Sequence, residues 1–515
     1  MNAQRNSKGW QAGALSIVLA AGSLAQSAEP GAVAPKSVKQ AAPPSALFLP
    51  SPSSPLVAVR FLFRVGSQDD PKGKEGLAAL TASMISEGGT KTLTYDQILG
   101  KFYPIASSLS GSCHKEVTVF SGEVHRDNLK AYEELATSML AAPRFAEDDF
   151  DRLKNEAIDY LSKSLRGNND EELGKWALQL ELYKNHPYGH VDQGTVEGLK
   201  AISLDDVKAF YRAHYTRGTL QLGVAGGVQP EFVAKIENDL NLPNGTYTAP
   251  ALPKPASVKG IEVTIVEKPA DATAISLGFP IDVTRKDDDF YALAVANSYL
   301  GEHRTFNGKL MQDLRGKRGL NYGDYSYVED FIQEGMSTFP IPNNPRRQQA
   351  FTIWLRPVPR DKAVFALRGA LWELDRLVEK GMSPEDFEAT RSFLLNYSKL
   401  WVQTLSRRLG YAMDGSFYDR EDLVTELARR LPTLTVEQVN AAVRRHLNKP
   451  GIKVAIVAQE AAALKEALLS GKPSPIVYDT EGTPETILAE DKVIETFPLD
   501  NLNVKVVPVG ELFEK

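Results

Sequence analysis

The chain has 515 residues, 43% of them hydrophobic and 24% charged, the composition of ordinary globular domains with cores of their own. That length exceeds one typical domain and predicts roughly two to four. A net charge of −6 with no basic run argues against nucleic acid as a partner, and a single cysteine, Cys113, rules out an intrachain disulfide.

Residues 1–28 have the pattern of a secretory signal peptide. Arg5 and Lys8 precede an apolar, small-residue stretch from Ala12 to Ala25, and Ser27 and Ala28 supply a cleavage site. The apolar run falls short of the roughly 20 residues that a spanning helix needs, and no later segment reaches that length. The mature protein is therefore expected to be exported, in the periplasm, with no membrane span. Residues 29–45, rich in Pro and Ala, read as a flexible lead-in. Cys113 has no activating neighbour and reads as a small apolar residue.

The remainder is an internal duplication. Val57 to Val65 alternates in the manner of a strand, and Ala272 to Pro280 does the same. A shift of 216 positions puts Val59 on Ile275, Phe61 on Leu277 and Phe63 on Phe279. It also puts Leu77-Ala78 on Leu293-Ala294, each opening a small-residue helix. A shift of 232 puts Ser203-Leu204-Asp205-Asp206 on Thr435-Val436-Glu437-Gln438, two helix starts with a capping residue and a partner three positions on. The same shift puts His214 on His446 and the strand Leu220 to Val224 on Ile452 to Ile456. Asp287-Asp288-Asp289 reads as an acidic helix start. Pro345-Arg346-Arg347 reads as part of a polar loop.

These matched offsets predict two homologous domains, residues 46–245 and 261–515, joined by a Pro-rich linker at 246–260. Each domain is an α+β unit, an antiparallel sheet packed with helices, and the two face each other across a cleft. The tail from Ile476 onward contains the apolar stretch Val504 to Val509 and is expected to pack on the body or on a partner.

Five segments together carry a resemblance: Arg64-Val65-Gly66-Ser67, Gly76-Leu77-Ala78, Met84 with Glu87-Gly88-Gly89-Thr90, His186-Pro187-Tyr188-Gly189, and Leu314-Arg315 to Tyr322. In this order the chain resembles the M16 (pitrilysin- or insulinase-like) metallopeptidases, in the compact subfamily of two-chain enzymes. In active members, Gly-Leu-Ala is followed by His-x-x-Glu-His. That turn supplies two zinc ligands and a general base, and a later Glu completes the set. Here the three motif positions are Ala79, Ala82 and Ser83, none of which ligates zinc usefully or abstracts a proton. Glu156 and Asp159 fall near the third-ligand region without histidine partners. Of the seven histidines only His186 and His190 have a ligand-like spacing, and Pro187 and Gly189 between them bar a regular helical turn.

The second motif is kept. The resemblance implies that Arg315 and Tyr322, seven positions apart, contact the substrate backbone and stabilise charge on its carbonyl oxygen. The Gly-rich turn that the family often has before this helix is here Leu300 to Gly308, with only two glycines.

The resemblance therefore implies a non-catalytic, substrate-binding subunit of an exported heterodimeric zinc endopeptidase. Such a chain is inactive alone and binds no cofactor itself. Zinc is expected in a partner, a zinc-bearing M16 homologue, and the substrate is a peptide or unfolded polypeptide added to a sheet edge. The alternative is a degenerate M16-fold scaffolding protein without a peptidase role. An autonomous peptidase with a relocated metal is disfavoured by the histidine inventory.

Overall fold

The computed structural model describes residues 46–333, 338–448, 450–478 and 482–515. The expected signal peptide and lead-in lie outside the described residues. In the first half, β1 (Ala46–Pro50), β2 (Leu56–Phe63), β3 (Ser110–Cys113), β4 (Thr118–His125) and β5 (Leu220–Gly226) form a sheet in the order β1-β5-β2-β4-β3. In the second, the strands are β6 (Gly260–Glu267), β7 (Thr273–Ile281), β8 (Gly323–Tyr327), β9 (Gln349–Val358), β10 (Gly451–Ala458) and β11 (Asn503–Pro508). Their order, β11-β6-β10-β7-β9-β8, repeats the first sheet strand for strand with β11 added outside. The repeat extends to register: Val59 lies opposite Val224, and Ile275 opposite Ile456. Both sequence offsets had made those positions equivalent.

The two-domain α+β architecture is as expected, but the sheets are mixed. β1 runs parallel to β5, and β6 runs parallel to β10 and β11. A parallel neighbour needs a long crossover, and here almost the whole half serves as one.

The helices that matter for the site are α1 (Leu77–Glu87), α2 (Asp170–Leu182), α3 (Leu204–His214), α4 (Asp288–Gly301), α5 (Leu405–Phe417), α6 (Val436–His446) and α7 (Glu485–Ile494). α3 and α6 begin with the expected reciprocal caps, Ser203 with Asp206 and Thr435 with Gln438. The acidic run is a helix start too, with Asp287 at the N-cap of α4.

Alternation along β2 sends Val57, Val59, Phe61 and Phe63 to a core shared with α1 and α3. β7 sends Ile275, Leu277, Phe279 and Ile281 to the equivalent core with α4 and α6. The opposite faces are covered by exchange. α5, from the second half, packs Leu409, Met413 and Phe417 against Ala58, Leu62 and Ala225 of the first sheet. α2, from the first half, lies on β7 and β10, so that Ala274, Ala455 and Val457 join the first half's core. Gly223 of β5 permits the close approach, since a Cβ there would stand 2.5 Å from Met413 Sδ.

The two halves face each other, and charges fill the seam between them. Lys115, with a fully buried side chain, pairs with Asp192 at 2.8 Å, and Ser67 Oγ donates to the same carboxylate. Burial works against ionisation of Asp192, but Lys115 and Arg346 hold it down at about 2. Arg346 and Arg347 do not sit in a solvated polar loop. Arg346 is buried and pairs with Asp330 at 2.6 Å, while Arg347 Nε donates to Glu116 at 2.5 Å and its Nη2 to Gln68 at 2.9 Å. Tyr188 donates its hydroxyl proton to the other Glu116 oxygen.

The tail packs on the body and ties both halves. β11 extends the second sheet, after which the chain crosses to the first half. There Phe513 C=O accepts from Val196 N–H at 2.8 Å, and Glu514 C=O accepts from Glu197 N–H at 2.9 Å. Arg166 Nε donates to Leu512 C=O at 2.8 Å. The domain assigned to 261–515 thus ends on its neighbour. Cys113 is buried in the first core, and burial pushes its thiol well up. Among the described residues no helix is long and apolar enough to cross a membrane.

Replacing Glu116 with Ala leaves Arg347 and Tyr188 without their acceptor. Breaking a buried pair costs about 3 kcal/mol here, the low end of the usual range, since Arg347 keeps 23% of its side chain exposed. Thermal unfolding of the intact chain should show a midpoint lowered by several degrees; an unchanged midpoint would mean the seam adds nothing to stability.

Candidate functional site

The first half of the site is the start of α1. Gly76 precedes it at φ +124°, a backbone conformation that side chains disfavour, and a Cβ there would stand 2.9 Å from Leu199 Cδ2. The N–H groups of Gly76 and Ala78 donate to the Asp70 carboxyl at 3.2 and 3.5 Å, satisfying two of the helix's unpaired donors. His190 Nε2 lies 2.8 Å from the same carboxyl. Burial favours the neutral form of both groups, raising Asp70 and taking His190 down to about 3.

On this helix Ala79 and Ala82 are 2% and 3% exposed and belong to the first core, and Ser83 is half-buried. The turn that holds a metal in active relatives is therefore a packing surface here. Among the described residues no other donor set replaces it. His186 Nδ1 accepts from Tyr188 N–H at 3.0 Å inside a tight turn, and His190 is committed to Asp70. Glu156 faces Arg152 at 3.4 Å and Asp159 faces Lys163 at 2.7 Å. Among the described residues, no group of three or more His, Cys, Asp or Glu is arranged to hold a metal ion. The residues present do not fit zinc.

The second half of the site is the segment that carries Arg315. Met311–Gly316 forms a wide helical turn, with Lys317 N–H donating five residues back to Gln312 C=O. Gly319 N–H then donates to Arg315 C=O, which folds the segment over and returns Tyr322 to Arg315. The guanidinium carbon lies 5.1 Å from the Tyr322 ring centre and 5.0 Å from that of Phe306. Tyr322 is 64% exposed and immediately precedes β8, the outermost strand of its sheet.

The cations of this segment divide sharply. Lys317 pairs with Asp313 at 2.7 Å. Arg318, with a fully buried side chain, donates to Asp491 of α7 at 2.7 Å and to Asp313 C=O at 2.7 Å. Those bonds pin the segment to the body. Among the described residues, no hydrogen bond or ion pair engages the Arg315 guanidinium, which leaves its N–H groups available to a ligand. Asp324 lies below. Burial lifts its carboxyl to about 8, against the pull of Asn321 and Arg315, so it offers Arg315 little competing charge.

The structure thus brings Arg315 and Tyr322 together and keeps Ala79, Ala82 and Ser83 on one helix of the other half. Sequence reasoning missed Phe306, Asp324 and Asp491. Phe306 stood in a turn judged only by its scarcity of glycine. Asp491 lies 173 positions from Arg318 and had no local signal.

Comparisons with known proteins bear on the family and the fold. The family description "Insulinase (Peptidase family M16)" matches residues 47–190, and "Peptidase M16 inactive domain" matches residues 201–394. A Helicobacter pylori protein named a non-peptidase homologue, YmxG, is 22% identical over 423 residues, covering 79% of this chain and 90% of its own. An uncharacterised zinc protease of Mycobacterium leprae is 25% identical over 391 residues, covering 75% of this chain and 83% of its own. The crystal structure of a peptidase M16 inactive domain from Pseudomonas fluorescens superposes with a TM-score of 0.71 at 24% identity. That match covers 80% of this chain and 95% of that one, and it shows the shared fold.

Restoring the motif by A79H, A82E and S83H together should not rebuild a metal site. Two of the three side chains enter a filled core, where overpacking costs about 1–3 kcal/mol each. Thermal unfolding of the triple variant should show a lowered midpoint that added zinc does not raise; a zinc-dependent rise would reveal binding to the native state by linkage and contradict the expectation.

Proposed function

The chain belongs to peptidase family M16, and within that family we propose that it serves as the non-catalytic, substrate-binding subunit of an exported heterodimeric zinc endopeptidase. Arg315 carries the reading. It is a cation held in place by its neighbours, flanked by aromatic rings, and not engaged by any protein acceptor among the described residues. A half-buried guanidinium in that state has its donors free for a carbonyl oxygen.

The chemistry follows from donors and charge. The Arg315 N–H groups and the Tyr322 hydroxyl donate to the oxygen of a peptide carbonyl, and their stabilisation grows as negative charge develops there. An extended substrate would pair along an outer strand; β3, which packs beside α1 at the rim of the first sheet, is the partly exposed edge on that side. A zinc-bearing M16 partner would supply the metal and the base, which this chain's residues cannot. The signal-like segment at residues 1–28 supports export.

Co-expression with a zinc-bearing M16 chain from the same genome tests the reading. The two should co-elute on size exclusion, and hydrolysis of an unstructured peptide should appear only in the shared peak. Arg315→Ala or Tyr322→Phe in that complex should lower kcat by about 10²–10³, the usual loss for one such donor. If the zinc-bearing chain elutes alone and is fully active, the subunit reading fails and the scaffolding alternative replaces it.

A further inference from the structure

We infer that Phe306 is a third member of this grip, and that with Tyr322 it selects peptides carrying a bulky apolar residue next to the carbonyl that Arg315 holds. The inference rests on the substrate-binding reading and adds a specificity that nothing in the family resemblance assigns.

Three observations carry it. First, Phe306 and Tyr322 are 67% and 64% exposed, although large aromatic residues usually bury most of their surface. Each ring lies about 5 Å from the Arg315 guanidinium carbon, so the two exposed rings and the cation form one surface.

Second, the loop that presents Phe306 is anchored on both sides. His303 is 1% exposed, with Nδ1 2.6 Å from the Tyr327 hydroxyl. Gln312 Nε2 donates to Asn307 C=O at 3.0 Å. Phe306 is thus held up to solvent by a fixed backbone, which lowers the ordering cost of any contact it makes.

Third, the charge pattern selects the class. Arg315 opposes a cationic side chain at this point, and Asp324, the carboxyl that feels the Arg315 charge, is buried and lifted toward neutrality. An apolar or aromatic side chain gains contact with both rings while the adjoining carbonyl takes the guanidinium N–H groups.

The test uses the full chain and fluorescein-labelled, C-terminally amidated Gly/Ser-rich 12-residue peptides carrying one central Phe, Ser or Lys. Amidation removes the C-terminal carboxylate as a competing acceptor. Fluorescence anisotropy should rank Phe above Ser and Ser above Lys. Phe306→Ala should weaken binding of the Phe peptide about three- to tenfold, the worth of one aromatic contact, and leave the Ser peptide unchanged. Phe306→Trp should keep the preference, and Arg315→Ala should weaken all three peptides. Equal loss for the Phe and Ser peptides in Phe306→Ala would make Phe306 a mere prop for Arg315 and overturn the inference. Equal wild-type affinity for the three peptides would also overturn it while leaving the substrate-binding reading intact. Failure of the wild-type chain to bind any of them would overturn both.

Discussion

A β-sheet with two apolar faces must bury both, and each half of this chain packs its own helices on only one. The first half covers its inner face with α1 and α3 and leaves Ala58, Leu62 and Ala225 to α5 of the second. The second half covers one face with α4 and α6 and receives α2 on the other. Neither half is therefore complete alone, and the relative position of the two is set by burial. The magnitudes support that ranking. A fully buried Leu or Phe contributes about 1.5–3 kcal/mol, whereas a buried ion pair is close to neutral against an apolar replacement. The charge pair across the seam, Glu116 with Arg347, acts less as glue than as a register pin, because a misaligned partner would leave a buried charge unpaired.

Against that frame, the two parts of the site have moved in opposite directions. α1 has become part of the core. Alanine is the strongest helix former and takes little room, so Ala79 and Ala82 let the helix settle on its neighbours where ligands would need a cavity. Arg315 and Tyr322 have instead stayed out of the core, although Leu320 between them is buried in it. The segment's second arginine, Arg318, is locked to α7, and its first, Arg315, has no acceptor among the described residues. Burying one Arg and freeing another within four residues is a division of labour between positioning and contact.

How much of this was legible in the sequence depended on range. The repeat was readable because β2 and β7 alternate apolar residues, and because capping residues at Ser203 and Thr435 act on donors three positions away. Arg315 and Tyr322 were readable because their seven-position spacing is part of the family resemblance. The parallel edge strands were not, since β1 pairs with β5 across almost the whole of the intervening half. Arg346 and Arg347 looked like solvent-facing charges, and only their distant acceptors, Asp330 through the fold and Glu116 on the other half, make them interior. Exchange of α2 and α5 has no local signature, because an amphipathic helix does not state whose sheet it will cover.

The route of the chain after β11 sets an order on assembly. Arg166 and the loop at Val196 find their partners in Leu512, Phe513 and Glu514, with 346 positions separating Arg166 from Leu512. During synthesis those carbonyls emerge only after nearly all of the second half. Until then the corner of the first half around Val196 lacks its final acceptors, however complete its sheet. A clasp closed that late makes the amino-terminal half wait for the carboxy-terminal one. An insertion between residues 509 and 514 would therefore disturb the helix start at Val196 as directly as the strand that leads to it.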